Sequence, residues 1–261
     1  MTDLYVQTWD ELNQQLFADT WNPELQRFRS RFVFRGLSDA AHGLATSLMR
    51  LGGAAPDVEG HLLRNFRKYA SQSAVAFDSV WNWLAVAQHH GLPTRLLDWT
   101  FSPYIAAHFA TQSLDTFDRD AAIWCVDFGN TNATLPAALR RLLEAECADM
   151  FTVEILDQAA NTLQEFDRIA KKPFVAFFEP PSMEGRIVNQ YALFSAMSSP
   201  SADLGDWLAG KPGAYTRIVI PAALKWEIRD KLDLLNINER LLFPGLDGLS
   251  QWLKRYYTPR A

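Results

Sequence analysis

The sequence predicts an α+β domain, a central split or mixed β-sheet flanked by helices, and three observations predict it. Apolar runs of strand length, Arg31–Gly36, Ala121–Phe128, Phe174–Phe178 and Tyr215–Ile220, are scattered along the chain. Amphipathic runs of helical period stand between them, without the steady strand–helix–strand rhythm of a doubly wound fold. A hydrophobic content of 48% with nine Trp and seventeen Phe supplies a large core, which excludes a disordered chain.

Residues 1–29 are expected to form an N-terminal helical extension. Thr8-Trp9-Asp10-Glu11 fits a capping box, with Leu12 and Leu16 at helical spacing, so a helix is predicted over Thr8–Thr20. The main domain is predicted over 30–261. It opens on the strand Arg31–Gly36 and passes through an irregular connection, Ala41–Met49. Leu62, Leu63, Phe66 and Tyr69 then mark a helix over Val58–Ser73. A second helix is predicted over Asp78–His89, ended by Gly91 at the C′ position. Ser102-Pro103 supplies an N-cap and an N1 proline for a small-residue helix over Tyr104–Thr111. Polar helical runs at Leu135–Glu146 and Val153–Ile169 suggest an outer helical insertion at 130–170. Further strands are expected at Phe174–Phe178 and Ile187–Phe194, and Pro221 opens a helix through Leu234.

A net charge of −5 lacks the basic excess of a non-specific nucleic-acid binder, although net charge leaves room for a local patch. Cys125 and Cys147 have no metal spacing, and Cys125 lies in an apolar run that suggests a buried inert thiol. The first residues lack a secretory pattern and no apolar run reaches membrane length, so a cytoplasmic protein without membrane contact is expected.

The densest chemistry lies in Gln88-His89-His90-Gly91-Leu92-Pro93-Thr94-Arg95-Leu96-Leu97-Asp98-Trp99-Thr100. Polar groups in such an apolar setting need partners, since one left unpaired costs roughly 1–3 kcal/mol. Adjacent His89 and His90 point apart on a helix, and the other histidines form no motif, so no metal is expected. No G-x-S-x-G elbow, P-loop or G-x-G-x-x-G occurs. Arg35, between Phe34 and Gly36, is either the partner of a carboxylate such as Asp98 or an anion clamp that Gly36 lets a ligand approach. Arg95 and Asp98, three residues apart, can pair with each other. On the predicted strand, Arg186, Val188, Gln190, Ala192 and Phe194 share one face, which makes Arg186 and Gln190 hydrogen-bonded core or pocket floor.

Phe34-Arg35-Gly36, the block from Gln88 to Thr100 with Ser102-Pro103 and Ala106–Ala110, the Arg186/Gln190/Phe194 block and Leu242–Gly248 together resemble the FRG domain family. The resemblance spans about 30 to 250, with Tyr191-Ala192 standing where the family often has a glycine. In motif order the family is similar to the ADP-ribosyltransferase fold. That resemblance implies an enzyme using NAD to modify a macromolecule, nucleic acid or protein, as a bacterial toxin or in anti-phage defence. A neutralising antitoxin or chaperone partner would go with that setting.

It also implies roles. Arg35, Asp98 and Gln190 would be catalytic; Arg35, His90, Thr94, Arg95, Trp99, Thr100, Ser102 and Arg186 would hold the dinucleotide, with Trp99 stacking on it. Gln190 stands where such transferases carry a glutamate. A carboxylate there stabilises the oxocarbenium-like transition state, and losing such an electrostatic element costs about 10²–10³ in rate. Asp98 and Glu179 are the carboxylates that compensate, or the domain senses a nucleotide, or binds a protein, without turnover. A nuclease or hydrolase centred on His90 and Asp98 is the third reading.

Overall fold

The structure is a computed structural model that describes residues 3–52, 55–70, 75, 77–181 and 185–259. Its strands are β1 (Asp3–Tyr5), β2 (Trp21–Asn22), β3 (Arg27–Phe28), β4 (Phe32–Leu37), β5 (Leu96–Thr100), β6 (Ala121–Asp127), β7 (Phe151–Thr152), β8 (Val175–Glu179), β9 (Ala192–Met197) and β10 (Tyr215–Ile220). Eight of them form one mixed sheet in the order β1-β10-β6-β4-β5-β9-β8-β7, and β2 and β3 form a separate hairpin. Only the outermost pairs, β1 with β10 and β7 with β8, are parallel. The architecture is α+β, as the interleaved runs predict.

The helices are α1 (Trp9–Leu16), α2 (Ala55–Tyr69), α3 (Val80–His89), α4 (Pro103–Thr111), α5 (Phe128–Asn132), α6 (Ala137–Ala145), α7 (Val153–Ala159), α8 (Leu163–Arg168), α9 (Gly185–Asn189), α10 (Leu204–Ala209), α11 (Lys225–Leu234), α12 (Glu239–Leu242) and α13 (Leu246–Tyr256). Their starts follow the capping chemistry. Thr8 Oγ1 accepts from the Glu11 amide while the Glu11 carboxylate accepts from Gln7, and Ser102 caps α4 ahead of Pro103. At the end of α3, Gly91 takes φ +80°; its amide bonds Gln88 and that of Leu92 bonds Ala87, the paired closure of a Schellman motif.

β6 is buried along its whole length because both faces of the sheet are covered. One face carries a single cluster crossing the sheet, including Val33, Leu97, Trp99, Trp124 and Phe177. The other face carries two. Phe34, Ile123 and Ile218 pack under α1, α4 and α11, and Leu96, Phe178 and Phe194 pack under α3, α7 and α8. The gap between those two clusters falls between β4 and β5. There the strands pair at Phe34 and Thr100 alone, whereas β4 pairs with β6 over all of Phe32–Leu37. The sheet is split along this seam.

α4 owes its position to small residues. Ala106 and Ala110 are fully buried and bring the helix backbone onto Gly36, where an added Cβ would collide with the carbonyl of Ala106 and come 2.5 Å from the amide nitrogen of Ala110. Gly36 therefore serves helix–strand packing, and it also lines the cavity beside Arg35. We expect Gly36→Ala to cost about 1–3 kcal/mol in denaturant unfolding through overpacking; an unchanged midpoint would refute this account of Gly36.

Four expectations need correction. Residues 1–29 are more than a helical extension: α1 ends at Leu16, β1 joins the main sheet, and β2 and β3 make a hairpin. The 130–170 region lies outside, with Arg140, Arg141 and Glu144 exposed, but it is integral to the core and no appended layer: Leu139, Leu143, Leu156 and Phe166 are buried, and the Trp81 and Phe166 rings meet edge-on at 4.8 Å. It also contains β7, and its second helix breaks at Ala160, where Thr162 starts α8. Finally, Ile187–Phe194 is not one strand. The Gln190 amide bonds Arg186 and that of Tyr191 bonds Val188, closing a helical turn; Tyr191 then takes φ +49° and β9 begins at Ala192. Arg186, Val188, Gln190, Ala192 and Phe194 thus share no strand face.

Candidate functional site

The seam places Arg35. Its Nη1 donates to the main-chain oxygen of Asp98 at 2.5 Å, across the gap where the strands have parted, and lies 3.8 Å from the Asp98 carboxylate. The Arg35 side chain is 18% exposed and its Nε is buried without a hydrogen-bond partner. Burial lowers the guanidinium's pKa, Asp98 opposes that shift and Arg50 adds to it. A guanidinium offers five donors in a fixed fork, so Arg35 is a partly desolvated cation with donors to spare. That is the physical requirement for holding an anion.

A cavity of about 260 Å³ opens beside it. Arg35, Asp98, Thr100, Gln190 and Arg186 all line it, together with Ser38, His42, Phe109 and Gln112. The Asp98 side chain is 58% exposed, and its Oδ2 accepts from Gln88 Nε2 at 2.9 Å. Gln88 is itself fixed by Thr94, whose Oγ1 donates to Oε1 at 2.6 Å. The Thr100 hydroxyl is committed: it donates to the Gln190 carbonyl at 2.7 Å and accepts from the Ser102 amide. It pins the turn that carries Gln190.

Gln190 is buried, and its Nε2 donates to the Leu242 carbonyl at 3.0 Å. A glutamate at this position would face that carbonyl with no proton to donate at neutral pH, so the turn requires an amide. Arg186 lies over the Phe243 ring at 5.0 Å, a cation–π contact, and Phe243 meets Phe109 edge-on. The closing block is held in turn by a buried ion cluster, in which Glu239 accepts from Arg229 and Arg255, and Arg229 also bonds His108 Nδ1 at 2.8 Å. Burial, with Arg229 close by, lowers the His108 pKa to about 3. Burial pushes the Glu239 carboxyl up, but its bonds to Arg255 and the charge of Arg229 outweigh that and hold it at about 2.

Other predicted site residues are placed elsewhere. Arg95 is buried and clamped by Glu59 at 2.6 Å and by Asp167, so it neither lines the cavity nor pairs with Asp98. His90 is exposed at the C-cap of α3 and does not line the cavity. Thr94 and Ser102 support the site from behind, through Gln88 and the α4 cap. Trp99 borders the cavity, but its indole is buried in the layer across the sheet, with Nε1 bonded to Ser195 at 2.9 Å and the ring edge-on to Phe177. It offers no face for stacking. Glu179 lines a neighbouring groove with Tyr191 and Val188 instead. The cavity residues missed by sequence reasoning are Ser38, His42, Phe109 and Gln112, along with Gln88 behind Asp98. Of these, Gln88 had a signal, since it opens the polar block.

Fold and site together define an α+β protein with an arginine–carboxylate cavity set in a split sheet. The family model of the FRG domain matches residues 30–119, about a third of the chain. The match takes in Arg35 and the block from Gln88 to Ala110 and ends before Arg186 and Gln190. No curated protein and no solved structure matches the chain. No helix among the described residues is long and apolar enough to cross a membrane.

Proposed function

We propose that this protein is an ADP-ribosyltransferase-like enzyme that takes NAD as substrate and modifies a macromolecular acceptor, nucleic acid or protein. The observation that carries the reading is the cavity at the seam, where a largely buried Arg35 with an unpartnered Nε stands beside the exposed carboxylate of Asp98. Arg35 binds the anionic pyrophosphate or the adjoining ribose. Asp98 supplies the negative charge that Gln190 lacks, close to where positive charge develops on the ribose as its bond to nicotinamide breaks. The acceptor's nucleophile takes the ADP-ribosyl group and nicotinamide leaves. Arg186 flanks the entrance. The volume, below the usual range of small-molecule pockets, suits a ribose with its attached ring, the rest of the dinucleotide lying along the open side. The reading goes with a cytoplasmic toxin or anti-phage role and a neutralising antitoxin or chaperone partner.

The test is NAD binding by calorimetry together with nicotinamide release in the presence of cell extract. Arg35→Ala is expected to weaken binding about 10–100-fold, the worth of one charge-assisted contact of about 1.5–3 kcal/mol. Arg35→Lys, which keeps the charge and loses the fork, should fall between. Absence of both binding and cleavage in the native protein overturns the proposal. A second reading, a nucleotide sensor without turnover, is favoured by the commitment of the Gln190 amide to Leu242; NAD binding with no nicotinamide release in any extract would decide for it.

A further inference from the structure

The hairpin of β2 and β3 stands apart from the main sheet and spends its aromatic residues on solvent. Trp21 and Phe28 are register partners, so their side chains leave the ribbon on the same face, and their rings meet edge-on at 5.1 Å. They are 52% and 64% exposed, and Leu25 in the connecting turn is 58% exposed. From Trp21 to Phe28 no residue is buried, so core packing does not account for these rings.

Arginines surround them. Arg27 and Arg29 flank Phe28 along the chain, both exposed and without a carboxylate partner among the described residues. Arg31 follows, 67% exposed and steadied by Asp127 at 3.2 Å. Arg31 is paired with Asp127 and the exposed carboxylates of Asp19 and Glu24 lie in the same segment, so the positive charge next to the two rings is that of Arg27 and Arg29, which flank Phe28 directly. Arg27 alternates with Phe28 and so leaves the ribbon on the opposite face, from which a phosphate backbone passing the ribbon's edge is met while its bases lie on the rings.

We propose that this hairpin is a docking platform for single-stranded nucleic acid. Trp21 and Phe28 stack on bases, and Arg27 and Arg29 meet the phosphates. Base–aromatic stacking is tolerant of sequence, and phosphate contacts carry no sequence information, so binding is weakly selective and salt-dependent. A two-stranded ribbon is of a size that the major groove admits, but paired bases present their edges there and not their faces, so stacking on Trp21 and Phe28 selects unpaired strands. The proposal rests on the hairpin alone and is independent of what the cavity binds.

The experiment is fluorescence anisotropy with a labelled single-stranded oligouridylate and its DNA counterpart, using the full chain without NAD over a series of salt concentrations. Trp21→Ala with Phe28→Ala should weaken binding at least tenfold. Arg27→Gln with Arg29→Gln should lower the slope of log K against log salt by about 1.4, roughly 0.7 for each phosphate contact removed. Circular dichroism and the melting temperature verify that each variant folds. A native protein that binds neither oligonucleotide overturns the proposal, as does binding untouched by both double variants. Equal displacement of the oligonucleotide by polyglutamate of matching length also overturns it, because it assigns the patch to acidic protein segments.

Discussion

Replacing Glu239 by Ala is expected to lower the unfolding free energy by about 3–5 kcal/mol, the cost of breaking a buried ion cluster by removing one partner. Glu239 is the carboxylate shared by Arg229, which is fully buried, and Arg255, which is 4% exposed. Without it Arg229 keeps only its contacts with His108 among the described residues and becomes a buried cation with no carboxylate, while Arg255 retains Asp233. The damage travels to the cavity by a short path. Glu239 opens α12, and Leu242 and Phe243 at its end hold Gln190 and Arg186. Denaturant unfolding at pH 7 measures the loss; a change below 1 kcal/mol would show that the cluster does not hold the closing block.

The same cluster sets the response to acid. His108 titrates near 6.5 when unfolded and near 3 in the fold, so below pH 6.5 the unfolded chain takes up a proton that the native state refuses. Glu239 is held down from 4.5 to about 2, and its contribution, full above pH 4.5, is lost as pH falls towards 2. Both effects run the same way. Native stability should decline from about pH 6.5 downwards, and the Glu239→Ala variant should lose the part of that slope between 4.5 and 2.

What could be read in the sequence was local. Thr8, Ser102-Pro103 and Gly91 act within a few residues, and each was legible from type and spacing. The alternation within β5, which puts Asp98 and Trp99 on opposite faces, was legible in principle, yet both residues were expected at one site. Which face opened on a cavity was not, because that depends on the strands parting between β4 and β5. Arg95 shows the same limit from the other side. Its partners Glu59 and Asp167 lie 36 and 72 residues away, while the near carboxylate, Asp98, turned out to belong to Arg35. The segment at Gln190 misled for another reason: one turn of helix carries too few residues to show its period, and polar groups at every second position imitate a strand.

Asp98→Asn is expected to cut nicotinamide release about 10²–10³-fold while leaving NAD affinity nearly intact, on the reading of the cavity proposed above. The substitution isolates charge from shape. Arg35 bonds the main-chain oxygen of Asp98, which the change does not touch. Gln88 Nε2 can donate to the asparagine oxygen as it does to the carboxylate, with Thr94 still fixing Gln88. Asp98 is 58% exposed, but Arg35, at 18%, loses the carboxylate charge 3.8 Å away that offsets its burial, so a small drop in melting temperature is expected alongside. Only the negative charge beside the ribose is removed. Gln190 cannot replace it, being neutral and tied to Leu242. Turnover within threefold of the native rate would take the charge-stabilising role away from Asp98, while a parallel loss of affinity would make it a binding group.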